Sequence, residues 1–95
     1  MDINEIMKKA QEMQAQMEKL GSEIAAKTYT GKASGGLVKI TLTGENNAVQ
    51  AEIDPSVISV DDKEMLEDLI VIAINDAIAQ IDKERKDVFG SVLKG

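Results

Sequence analysis

The sequence predicts an α+β subunit of element order α-β-β-β-α, with an antiparallel three-stranded sheet between two long helices. Three observations predict it. Apolar residues step by three and four from Ile3 to Ile24, the stretches 37–43 and 48–54 alternate apolar with polar, and a broad apolar stripe returns at helical spacing from Leu66 to Ile81. A chain of 95 residues with 43% apolar content fits a single domain over 1–95 rather than a disordered polymer.

The first helix is predicted over about 3–26. Ile3, Ile6, Ala10, Met13, Met17, Leu20 and Ile24 form a seven-residue repeat, with Glu, Gln and Lys between them. A rod of that length is ~36 Å long, longer than the ~32 Å diameter of a compact globule of this size. It should overhang its own domain, and its narrow apolar seam calls for a second chain.

Strands are predicted at about 27–31, 37–43 and 48–54. Lys27-Thr28-Tyr29-Thr30 is rich in β-formers, and Lys32-Ala33-Ser34-Gly35-Gly36 reads as a loop. Val38, Ile40 and Leu42 share one face of the second strand, as do Val49, Ala51 and Ile53 in the third, so both strands should be half buried. Pro55 stops the third.

The second helix is predicted over about 62–88. Asp61 and Glu64 have the spacing of a capping box, and Val60 and Met65 that of a hydrophobic staple. From Asp82 to Asp87 every residue is charged, so the helix must leave the core there. Whether it then runs on to Val88-Phe89 before Gly90, or breaks into a short separate helix, is left open by the pattern.

Absences narrow the chemistry. With no Cys and no His there is no disulfide, no thiolate nucleophile, no zinc ligand set and no imidazole base. Gly31, Gly35 and Gly36 fit neither phosphate-loop fingerprint and suit a hairpin better. Of Asp61, Asp62 and Glu64, helix capping already accounts for two, so a metal site there is not expected. Asn75-Asp76, polar beside the apolar stripe, suit a hydrogen bond at a dimer interface. Tyr29 alone is too little for a single-strand stacking platform. The expectations are no enzyme, no cofactor, no metal and no small-molecule substrate. No run approaches the ~18 apolar residues of a membrane span, and the acidic start Met1-Asp2-Ile3-Asn4-Glu5 is unlike a signal peptide. A cytoplasmic protein is expected.

Charge is the informative quantity. The formal charge is −6, yet residues 1–44 carry +1, residues 45–82 carry −9 and residues 83–95 carry +2. Both helical ends are thus free of the acidity that marks the middle of the chain. Glu5–Lys9, Lys8–Glu12, Lys19–Glu23, Glu23–Lys27 and Asp82–Lys86 have the spacing of ordinary helix ion pairs, which is the plain reading of those lysines. The plain reading of Met13 and Met17 is core or dimer interface.

The residues resemble the YbaB/EbfC family of nucleoid-associated DNA-binding proteins. The resemblance is carried by Met7-Lys8-Lys9-Ala10-Gln11-Glu12-Met13-Gln14, by Gly31 with Gly36-Leu37-Val38-Lys39-Ile40, and by Gly44 and Ile53-Asp54-Pro55. Asp62-Lys63-Glu64-Met65-Leu66-Glu67-Asp68-Leu69-Ile70 and Ala73-Ile74-Asn75-Asp76-Ala77 complete it. It implies an intertwined homodimer whose projecting helices engage duplex DNA in the nucleoid. It favours phosphate contacts at Lys8, Lys9, Lys83, Arg85 and Lys86, with Lys19 added as a candidate from its place on the same helix. The apolar seam and stripe make Ile6, Met13, Met17, Leu20, Ile74 and Ile78 the expected dimer interface. The Gly-rich N-terminal extension and Met/Pro/Gly tail of many members are not in this sequence. The competing expectation is a non-catalytic protein-interaction module, serving recombination or repair, with incidental DNA contact.

Overall fold

A computed structural model describes residues 2–94. Helix α1 (Ile3–Ala26) is followed by strands β1 (Thr28–Ala33), β2 (Val38–Thr43) and β3 (Ala48–Ile53), two short 3-10 turns, and helix α2 (Lys63–Lys94). The strands form one antiparallel meander in the order β1-β2-β3. The molecule measures 70 × 19 × 16 Å, with a radius of gyration of 19.1 Å. A compact chain of this length has a value of about 12 Å, so the fold is a small body with a long projection.

The body is built by laying the first half of α2 across β1 and β2. Ala73, Ala77 and Ile81 of the helix face Tyr29, Ala33, Val38, Ile40 and Leu42 of the strands, and Ile24 and Val57 close the core. Helix and sheet approach closely because the facing residues are small. A Cβ on Gly31 would overlap the carbonyl of Ala73. Gly44 is pressed in the same way onto the carbonyl of Ile24, which fixes the end of α1 against the β2–β3 turn.

The projection is an antiparallel pair made from α1 and the second half of α2. Helix α2 leaves the sheet within the charged run, as its sequence requires, but it does not break. It continues six residues beyond the predicted 88, straight through Gly90. The reason is packing: Val88 and Phe89 lie against the core, Val92 is buried, and the ring of Phe89 sits over Gly21. A helix-interior glycine costs only about 1 kcal/mol relative to alanine, less than those contacts return.

Four other expectations are corrected. β1 runs on to Ala33 instead of ending near 31, because Gly31 and Ala33 are buried under α2. β3 is not half buried: all but Ile53 is exposed, since α2 covers β1 and β2 and leaves β3 outside. A bulge between Thr41 and Leu42 pairs Leu42 with Ala48, so Val49 drops out of register and is 58% exposed. The helix entry also differs. Ser59 Oγ accepts from the Asp61 N–H, two residues before the expected cap, and Val60 is 94% exposed, so it staples nothing.

Candidate nucleic-acid interface

The arm carries most of the sequence-predicted contact residues. Lys8, Lys9 and Lys19 stand on α1, all exposed, and none has a carboxylate oxygen within 4.0 Å among the described residues. Lys8 and Lys19 are eleven residues apart and so share one stripe of the helix. None of the five i,i+4 pairs expected from spacing is formed. The helix pairs present are Lys63–Glu67 at 3.7 Å and Lys83–Asp87 at 3.2 Å. Exposed pairs of this kind contribute only about 0.3–0.5 kcal/mol, too little to dictate which of several choices forms.

On α2 the three predicted cations have different surroundings. Lys86 is exposed and has no ion pair among the described residues, and Lys83 is held loosely by Asp87. Arg85 is half buried, and its Nη2 donates to the carbonyl of Gly44 at 2.7 Å. That bond ties α2 to the β2–β3 turn at the root of the arm.

Beside it lies a cluster that sequence reasoning missed. Lys27 Nζ donates to Glu84 Oε1 at 2.7 Å, and the hydroxyl of the buried Tyr29 donates to Glu84 Oε2. Burial, reinforced by the bond to Glu84, pushes the Tyr29 phenol up to about 12. The Lys27 hydrogen bond, then that of Tyr29, holds the Glu84 carboxyl below its ordinary range, and the same carboxylate raises Lys27. Through Glu84 and Arg85 the end of α1, the start of β1 and the β2–β3 turn all grip α2 where it departs from the sheet. The only sequence signal was that Glu84 and Arg85 sit one turn past Ile81, in line with the buried face.

Asp76 is likewise used within the chain. Its Oδ2 accepts the Lys32 N–H at 2.9 Å, and Gln80 Nε2 donates to the Thr30 carbonyl at 2.9 Å. Together they cover the outer edge of β1, a natural protection for an edge strand. Asp61, Asp62 and Glu64 are not gathered into a ligand set; no metal-holding group of three or more such side chains occurs among the described residues.

The predicted interface residues fall into two places. Met17 and Leu20 are half buried on α1 beside Phe89, Val88 and Val92 of the same chain's α2, so part of the seam is occupied in cis. Met13, Ile6 and Ile3 become steadily more open toward the tip, reaching 71% at Ile3. Ile74 and Ile78 lie on the flank of α2 opposite Asp76 and Gln80, hence away from β1. Both are half buried, and exposed Val71 continues the same flank.

Comparison with known proteins decides the lineage: the model of the YbaB/EbfC DNA-binding family matches residues 1–95. The chain belongs to the YbaB/EbfC DNA-binding family. Among solved structures it is similar to that of the uncharacterized protein HP0035 from Helicobacter pylori. That likeness has a TM-score of 0.80 and 25% sequence identity, and covers 98% of each chain. The arrangement of two helices around a three-stranded antiparallel sheet is thus shared with a solved relative. No helix among the described residues is long and apolar enough to cross a membrane.

Proposed function

We propose that this YbaB/EbfC chain is a homodimeric, nucleoid-associated protein of the cytoplasm that binds duplex DNA with low sequence specificity. The observation that carries the reading is the helical arm, which bears Lys8, Lys9, Lys19 and Lys86 with no ion-pair partner among the described residues. Lys83 joins them, since exchanging Asp87 for a phosphate costs little at so exposed a pair. Arg85 contributes mainly by holding the arm to Gly44, with phosphate contact as its second role. Lysine and arginine contacts of this sort hold the backbone and carry little base information.

Dimer formation is supported by what the fold leaves bare. The face of β3 that continues the core side of β2, at Ala48, Ala51 and Ile53, is not covered by α2. Beside it run Val71, Ile74 and Ile78. A second copy laying the same flank into this gap would bury both surfaces, and the exposed seam at Ile6 and Met13 would meet the partner farther out. A two-fold interface needs such a self-complementary patch. The dimer would carry two arms.

Anisotropy of labelled duplexes of unrelated sequence, titrated at several salt concentrations, tests the proposal. Affinities should be similar for all duplexes. Log K should fall linearly with log salt, with a slope of about −0.9 for each phosphate contacted. No binding at low salt by a verified dimer contradicts it.

A further inference from the structure

The cations on the open face of the sheet are not used by the fold. Strand alternation puts Thr28, Thr30 and Lys32 of β1, and Lys39, Thr41 and Thr43 of β2, on the side away from α2. The register sets Lys32 directly opposite Lys39. Like charges in that relationship repel. Neither ammonium has a carboxylate oxygen within 4.0 Å among the described residues. Glu52 is the cross-strand neighbour of Lys39 on the other side, but its Oε1 accepts from Gln50 Nε2 at 3.1 Å instead. Asp76, the other nearby acid, is committed to the Lys32 backbone N–H.

The surroundings favour an extended anion. Thr30 and Thr41 share a hydroxyl–hydroxyl bond of 2.9 Å beside the pair, so a further hydroxyl hydrogen or lone pair is available at the surface. Ser34, Gly35 and Gly36 turn the hairpin with φ of 52, 69 and 97°, a left-handed path. The stem of Lys39 lies over Gly36, where an added Cβ would come within 3.3 Å of Cε. Nothing lies within 4 Å of a Cβ built on Gly35, so the hairpin tip is open to a large ligand. This is the one place outside the helical arm where two lysines without ion pairs are adjacent among the described residues, in a body whose other charge is mostly acidic.

We propose that the Lys32–Lys39 cross-strand pair on the open sheet face is a second phosphate-contact surface for duplex DNA, separate from the helical arm. The proposal rests on the reading of the chain as a DNA binder. A phosphodiester between the two ammonium groups removes their repulsion, so binding there is favoured by what the free protein lacks. It also offsets the acidity of residues 45–82 where the body meets the duplex. Such contacts add affinity and salt dependence, but no sequence preference.

The test compares the full chain with the Lys32→Gln/Lys39→Gln variant, and with Lys32→Glu, in salt titrations of duplex binding and in thermal melts. Lys32→Glu places an opposite charge across from Lys39, so it should fold at least as well as the parent. Lys63→Gln, which removes a lysine at the acidic end of α2, serves as the control. The expected result is a log–log slope shallower by about 0.9 for each phosphate no longer held in both sheet variants, with Tm equal to or above the parent's, and no change for the control. Sheet variants whose slope equals that of a DNA-binding parent overturn this proposal alone. A parent that binds no DNA at low salt overturns it together with the reading beneath it.

Discussion

Tyr29 donates its hydroxyl to Glu84, 55 positions along the chain, at the point where α2 parts from the sheet. The same carboxylate holds Lys27, the residue that caps α1, so one acid fastens both the end of α1 and the first strand to the root of the arm. The phenol has a pKa of about 12 in the fold and about 10 in the unfolded chain. A group whose pKa rises on folding adds stability that is complete below its unfolded value and vanishes as pH climbs through the folded one. Urea denaturation at fixed protein concentration should therefore show stability falling between about pH 10 and 12, by at most about 2–3 kcal/mol from this residue. Tyr29→Phe should lose that part of the alkaline dependence; an identical alkaline slope would exclude a buried, bonded phenol.

On the acid side Glu84 contributes beside Asp54, whose carboxyl is held low by its hydrogen bonds with Ser56. The folded pKa of Glu84 is depressed, so its contribution is present above the unfolded carboxyl value and is lost as pH falls through the folded one. Glu84→Gln should be less stable than the parent at neutral pH and should approach it in acid. A constant difference across the acid range would mean that charge on Glu84 does not matter.

Gly31 is the tightest point between sheet and helix. Adding a methyl there drives Cβ into the Ala73 carbonyl and the backbone nitrogen of Ala77, neither of which can yield without moving α2. Gly31→Ala should lose about 3 kcal/mol or more, the upper end of overpacking effects. A parental urea midpoint for this variant would show that the sheet and helix are not in contact there.

Gly90 offers the opposite substitution. It lies inside α2 and nothing stands within 4 Å of an added Cβ. Gly90→Ala should raise stability by about 0.5–1 kcal/mol through helix propensity. If the helix broke at this glycine, as its sequence allowed, alanine would bring no such gain.

Arm charges should separate into two kinds. Lys83→Glu/Lys86→Glu should weaken binding of all duplexes alike and flatten the salt slope, with thermal stability little changed, because both side chains are exposed. Arg85→Gln should reduce stability as well, since it removes the bond to the Gly44 carbonyl. Equal losses of Tm in the two variants would erase that distinction.

What could be read from sequence was whatever repeats locally. The seam from Ile3 to Ile24 and the stripe from Leu66 to Ile81 have helical periods, and the alternation of β2 follows the pleat, so the elements and their order were legible. What escaped depended on distant partners. No local rule links Tyr29 to Glu84 or Arg85 to Gly44. Nor does alternation within 48–54 reveal that α2 stops short of β3. The length of α2 was hidden because the packing that carries it through Gly90 comes from Gly21 and the rest of α1. Ser59 was a missed local signal: it is as good a capping residue as Asp61 and lies closer to Pro55. Of the candidate interface, sequence offered the lysines by type and position only, while their freedom from ion pairs among the described residues came from the structure, because competing exposed pairs differ by tenths of a kcal/mol.

The most direct measurement is the sedimentation mass of the purified chain alone and with a short duplex at low salt. A homodimeric DNA binder gives a mass of two chains without DNA, and with it a single heavier species containing two chains and the duplex. A monomer in the first run, or a dimer that sediments apart from the duplex in the second, would contradict it.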